Sequence, residues 1–329
     1  MLAYLPVGAD EGLRIKDVAE LADVPEADLV RVIRLMAMAG FLREPRPGFV
    51  AQTALSASFV RSPAQLDAAM FLAETIAPCA LRFAIATRRQ EESSVDYGSK
   101  RVQRQWPSFL SAMGGAGDTV ILAQIDWASI VQGQGPPGCV VDVGGPHPYK
   151  SRGLGACTIT ALAESHPALN FVVQCESPIP TTPMSATCNN LSVQQRSQGS
   201  CQPISDAAVY LLRLSRHACK PTRNRIVAEL SAHLGVLRAN KTALLILTSP
   251  VLPEPGTVTP YIERLARLRD LSLLQLAGAG DPSLQELLDL VGSINDGDGG
   301  LVVVKKLHAS SSPTVALGIR YQTIMRLTG

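Results

Sequence analysis

The spacing of hydrophobic residues changes period along the chain. Within residues 11–50, Ile15, Val18, Ala19 and Ala22 recur at helical spacing, and Leu29, Val32, Ile33 and Met36 continue a second stripe. Pro25 opens the second helix, with Glu26 and Asp28 in its first turn, where the helix dipole favours acids, and Gly40 stands where the helix should stop. FLREPRPGFVAQT then reads as two short strands turning at Pro47-Gly48. These elements predict a winged-helix domain over residues 1–60. Residues 61–118 read as a helical linker that covers a substrate. AQLDAAMFLAETIAPCALRFAIATRR is apolar enough to be buried, and RVQRQWPSFLSAMGGAG reads as a surface helix leading into a glycine hinge.

From residue 119 short apolar strands alternate with helical segments. CVVDVGG, LNFVVQ, AVYLLRLS and TALLILTSP are buried strand runs. TITALAES, TRNRIVAELSAHLGVL and SLQELLDLVGS are helices, and GGLVVVKKLH with TVALGIRYQ forms an edge hairpin. This alternation predicts the α/β class: a Rossmann-like, doubly wound, mostly parallel sheet over 119–329, preceded by the α-helical winged-helix domain. Such sheets bind ligands outside the carboxyl ends of their strands. That rule gathers Asp142–Gly145, Gln174–Ser177, Ser215–His217 and Thr248–Pro250 around one crevice. NNLSVQQRSQGSCQP (189–203), rich in Gln, Ser and Asn, reads as an exposed, mobile loop.

Composition narrows the partners. Thirty Lys and Arg face 28 Asp and Glu, so bulk charge does not attract a polyanion. The second helix of the winged unit offers only Arg31 and Arg34 as phosphate contacts, whereas a recognition helix aims several polar side chains at base edges. No nucleic-acid partner is expected. No run of about 18 uncharged apolar residues appears, so no membrane is expected either. MLAYLPVGADEG lacks the basic and apolar regions of a secretory signal. Seven cysteines without a CxxC pair read as reduced thiols in a cytoplasmic protein with no metal site.

Quoted together, QIDWASIVQGQGPPGCVVDVGG, ALAESHPALNFVVQ, YLLRLSRHACKP and TALLILTSPVLPEPG resemble the class I S-adenosylmethionine-dependent O-methyltransferases, in particular their fungal secondary-metabolite branch. The likeness covers nearly the whole chain and implies the class I methyltransferase fold. It also implies S-adenosylmethionine as cofactor, bound at Asp142, Gly144, Gly145, Cys175 and Glu176. The family loop runs Asp-x-Gly-Gly-Gly-x-Gly. Here Pro146 follows Gly145, and the next glycines are Gly153 and Gly155. Proline lacks an N–H and fixes φ, so the loop departs from the family path, by true remodelling or by a gene-model artefact. The acid for the ribose hydroxyls falls on Cys175, and a thiol is a poor bidentate acceptor. Glu176 substitutes for it only if the strand has ended.

The resemblance places a general base at His217, a role that a near-neutral imidazole suits. The acids that orient it in the family fall near Ser249 and Gly278, neither of which is acidic. Arg213 and Arg216 flank the strand as surface charges or, pointed inward, as groups that polarise a substrate carbonyl. Asp270, Ser249 and Met70 are placed at the substrate pocket. Because cofactor and base positions fail together, the reading ranks first a methyltransferase-fold enzyme that has lost methyl transfer. Like the pericyclases and cyclases related to this family, it would catalyse cyclisation, pericyclic or dehydration chemistry on a polyketide-derived or aromatic small molecule. An active O-methyltransferase on a phenolic or enolic metabolite and a non-catalytic partner subunit are the alternatives. Relatives dimerise through helices that precede the winged helix. This chain begins at about that domain, so a homodimer, a monomer or another interface stays open.

Overall fold

The computed structural model describes residues 2–7, 11–89, 99–115, 117–131, 138–144, 158–176, 188–213, 223–278 and 280–324. The chain divides into two compact units, Met1–Phe71 and Leu72–Gly329.

The first unit contains β1 (Leu13–Arg14), α1 (Ile15–Ala22), α2 (Glu26–Met38), β2 (Leu42–Arg43), β3 (Phe49–Gln52), α3 (Ala54–Arg61) and α4 (Pro63–Phe71). Its three strands form a small sheet in the order β1-β3-β2. The expected turn between β2 and β3 is present, with Gly48 at φ +79. Ile15, Val18, Ala19, Leu29 and Ile33 form the core with Leu5, Leu42 and Val50. Val32, expected in that stripe, is about half exposed. It lies at the margin of the arc that Leu29, Ile33 and Met36 define at 3.6 residues per turn.

The second unit contains α5 (Ala77–Arg89), α6 (Lys100–Leu110), α7 (Gly117–Leu122), α8 (Trp127–Val131), β4 (Cys139–Val143), α9 (Thr158–Ser165), β5 (Asn170–Cys175), β6 (Leu191–Gln195), β7 (Val209–Arg213), α10 (Arg223–Ala239), β8 (Leu244–Pro250), α11 (Pro260–Ala277), α12 (Leu284–Gly292), β9 (Gly299–His308) and β10 (Thr314–Thr323). The seven strands lie in the order β6-β5-β4-β7-β8-β10-β9. β4 through β8 run parallel, and β10 pairs antiparallel with both β8 and β9. The expected hairpin therefore contributes β9 as the edge and β10 as an inner strand.

Both faces of the sheet are buried. Val140, Phe171, Val173, Val209, Leu211 and Ile246 pack with Ile121, Leu122, Trp127, Ile159 and Leu162. Val141, Val143, Tyr210, Leu212, Leu245 and Leu247 pack with Ile226, Leu230 and Leu237 of α10 and Leu287, Leu290 and Val291 of α12. Double burial explains why the parallel strands read as unbroken apolar runs rather than as alternations.

Residues 189–203 are not the mobile loop expected from composition. Leu191–Gln195 pair with β5 throughout as β6. The segment that follows is held by buried polar side chains. Gln174 and Gln202 exchange reciprocal amide bonds at 2.8 and 2.9 Å, and Gln174 also donates to Gln194 at 3.0 Å. Arg196 pairs with Glu229 at 3.0 Å, and Glu229 accepts from the Gly199 N–H at 2.7 Å. A Gln/Ser-rich composition marks disorder only when its polar groups find no partners, and here nearly all do.

One helical run, Pro63–Ile85, is by length and composition long and apolar enough to cross a membrane, with a mean hydropathy of 1.5 over its best window. The sequence reading missed it because Asp67, Glu74 and Arg82 interrupt the run. Glu74 pairs with Arg101.

His233, fully buried on α10, belongs to the same network. Its Nδ1–H donates to the Glu229 carbonyl at 2.7 Å, which leaves Nε2 to accept from the Gln202 amide at 3.1 Å. Burial pushes its pKa below the ordinary 6.5, more than the Glu229 carbonyl pulls it up. A second ring proton would meet the Gln202 NH2 donor. Because the folded pKa is depressed, the stability from neutral His233 is fully present above about pH 6.5 and is lost as pH falls below it. Thermal unfolding followed by circular dichroism between about pH 7.5 and about pH 5.5 should show a falling midpoint. His233→Gln should start lower and fall less steeply.

Candidate functional site

The chain leaves β4 outward to β5 and β6, then returns to β7 on the other side, so the topological switch point lies between β4 and β7. Strand alternation sends Val140 and Asp142 to one face, and Val209, Leu211 and Arg213 to the same face. The register sets Asp142 beside Leu211, one step short of Arg213. The two charged side chains therefore meet at the carboxyl ends. Arg213 Nε donates to Asp142 Oδ1 at 2.8 Å, and Nη2 donates to Oδ2. Arg213 Nη1 lies 3.6 Å from Asp118 Oδ2, in the first turn of α7. All three are buried. One guanidinium thus faces two carboxylates. Burial pushes the Asp142 carboxyl up, more than Arg213 pulls it down, and Asp118 pushes the same way as burial.

This arrangement corrects one expectation. Arg213 is not a surface charge; it is buried and pairs with Asp142 and Asp118. Asp142, expected to hold a cofactor, is the other half of that pair. Sequence reasoning missed Asp118, which only the fold brings under β4 and β7.

Gly144 keeps the behaviour expected of a glycine turn. Its φ is +74, and an added Cβ would sit 3.4 Å from the Arg213 carbonyl oxygen. β5 ends at Cys175, which is buried. Glu176 follows it, exposed and beyond the strand, with its carbonyl 3.4 Å from the Gln195 amide. Thr248 lies beside Arg213 in the parallel register, and its buried Oγ1 has no partner among the described residues. Of the positions expected for S-adenosylmethionine, Asp142, Gly144, Cys175 and Glu176 are among the described residues. Asp142 is paired with Arg213, Cys175 offers no paired acceptor for a diol, and Glu176 stands beyond the end of β5, the condition set for it to take the ribose hydroxyls. No group of three metal-capable side chains occurs among the described residues.

The remaining expected positions separate. Asp270 holds a turn beyond α11. Its Oδ1 accepts from the Asp281 N–H at 2.8 Å, above Gly280, where a Cβ would come within 2.0 Å of that oxygen. Asp281 in turn pairs with buried Arg269 at 2.7 Å. Ser249 is buried in β8, and its hydroxyl donates to the Pro250 carbonyl at 3.0 Å. Met70 lies on α4 of the first unit, partly exposed. His217, Arg216 and Gly145, with Tyr149 and Lys150, lie outside the described residues.

Removing one partner from a buried ion pair leaves an unanswered charge. Arg213→Met should lower the unfolding free energy by about 3–5 kcal/mol, measured by urea titration. Adding Asp142→Leu should recover a large part of the loss, because the pair then leaves together.

The fold is that of the class I methyltransferases. The structure resembles LepI in complex with S-adenosylmethionine at a TM-score of 0.66 and 13% identity, over 96% of this chain and 82% of that one. It resembles mitomycin 7-O-methyltransferase at 0.67 and 17% identity, over 94% of this chain and 88% of that one. No protein-family profile matches the sequence. Among curated proteins the chain is 40% identical to a transcriptional coactivator of Pseudocercospora fijiensis, over 98% of this chain and 93% of the relative. It is 39% identical to the trypacidin cluster transcriptional coactivator of Aspergillus fumigatus, over 98% and 76%. It is 34% identical to the geodin cluster transcriptional coactivator of Aspergillus terreus, over 98% and 90%. At this identity and coverage the chain belongs to the fungal family of these curated proteins, which are named as transcriptional coactivators.

Proposed function

We propose that this chain is a transcriptional coactivator for a fungal secondary-metabolite gene cluster, and that its methyltransferase fold serves as a scaffold for protein association. The observation that carries the reading is the mutual engagement of Asp142 and Arg213 at the switch point, where a methyltransferase of this fold would meet its cofactor. The relatives' names supply the regulatory half. The action is then nuclear instead of the expected cytoplasmic one, and the scattered cysteines suit either compartment, since both keep thiols reduced. The non-catalytic partner role, ranked last on sequence, moves to first.

A second reading keeps a small molecule in the crevice, as a cyclase or dehydratase of the same biosynthesis. It is favoured by the retained turn at Gly144 and the unpartnered Thr248 hydroxyl beside Arg213.

Disrupting the gene separates the two. Under the coactivator reading, transcripts of the neighbouring biosynthetic genes fall together. Unchanged transcripts with one accumulating intermediate would overturn it in favour of catalysis. Calorimetric titration with S-adenosylmethionine should show no binding tighter than about 1 mM, and a micromolar constant would restore methyl transfer.

A further inference from the structure

The helix pair of the first unit presents an outward face that its core does not use. On α2, Val32, Leu35 and Met38 follow one another at three-residue steps along the outer surface. Leu35 is 65% exposed and Met38 89%. Leu21, at the end of α1, and Val24, in the turn, are exposed as well. In a helix-turn-helix, α2 stands where the recognition helix stands, and there the outward positions normally carry polar groups for base edges. Here Val32, Leu35 and Met38 carry aliphatic side chains, with exposed Arg31 among them.

The charges around this face oppose nucleic acid. From residue 17 to residue 28 the sequence holds Asp17, Glu20, Asp23, Glu26 and Asp28 and no Lys or Arg. All five acids are exposed. Arg34 pairs with Glu44 at 3.6 Å, and the Arg46 guanidinium lies 3.7 Å from the centre of the Phe49 ring. Glu44 also accepts from the Gly48 N–H at 2.9 Å. Lys16 and Arg31 are exposed beside the five acids, which outnumber them, so a polyanion would be repelled by the acidic end and would find Arg31 among the aliphatic positions. An amphipathic helix with an apolar face and a Lys/Arg-rich flank matches both features, the apolar side chains by burial and the acids by charge.

We propose that the outer face of α1 and α2 is the docking surface for a basic amphipathic helix of a protein partner. The proposal rests on the coactivator reading and adds to it the place and chemistry of contact. Leu35 and Met38 form the buried centre of the contact; Glu20 and Asp28 lie at its charged rim.

The test uses the full-length chain and, as probe, a synthetic amphipathic helix with a leucine face flanked by lysines, measured by fluorescence anisotropy at low and moderate salt. Leu35→Glu with Met38→Glu should weaken binding about tenfold or more. Glu20→Lys with Asp28→Lys should weaken it less and flatten its salt dependence. All four positions are exposed, so the unfolding midpoint of each variant should match the parent chain. Equal binding by parent and variants overturns the proposal while the coactivator reading stands. So does absence of binding by the parent when cluster transcripts still fall in the disruptant. Binding of duplex DNA that Arg31→Ala abolishes overturns it in favour of nucleic acid. Self-association that Leu35→Glu with Met38→Glu abolishes assigns the face to a second copy of the chain and overturns it too.

Discussion

A parallel sheet covered on both faces leaves no water for a charge to turn to, so each polar side chain that alternation sends inward must find its partner inside the protein. Asp142 and Arg213 meet that constraint together. Their backbone positions are set by the ladder between β4 and β7, and their side chains by strand parity. Asp118 completes the group from α7. On the opposite face the same constraint is met by neutral amides, a neutral imidazole and the Arg196–Glu229 pair, which together hold the segment after β6.

These two solutions close the polar side chains of both faces within the methyltransferase fold itself. The fold is stabilised by the two apolar layers and their internal polar closures, none of which requires a bound nucleoside. The carboxyl ends of β4, β5 and β7 are then free to vary. Cys175, at the end of β5 where the resemblance places an acid, is a change of that kind, and the core tolerates it because it is buried and small.

Much of the second unit was legible from local pattern alone. The strand runs at 139–143, 170–175, 209–213 and 244–250 and the amphipathic helix at 223–239 follow from periodicity, and the left-handed turn at Gly144 follows from its residue type. In the first unit the stripes of α1 and α2 were read correctly except at Val32, which periodicity placed at the edge of the arc and packing left outside. The failures share one cause. Residues 189–203 looked disordered because composition counts polar groups and does not see their partners. The bond from Asp270 to the Asp281 amide was likewise invisible, because a helix face does not reveal what lies across it. Gln174 and Gln202 lie 28 residues apart, and Arg213 and Asp142 lie 71 apart.

The amino-acid sequence by itself determined the element types, the alternation that makes an α/β sheet, and the presence of Asp142, Arg213 and Cys175 at strand ends. Those properties depend on neighbours within a few positions, where backbone sterics and side-chain period act. Tertiary structure alone decided that Arg213 turns to two acids, that Leu191–Gln195 within a Gln/Ser-rich stretch become a strand, and which side of α2 stays in water. Each of those outcomes depends on groups distant in the chain, whose proximity exists only once the layers have packed.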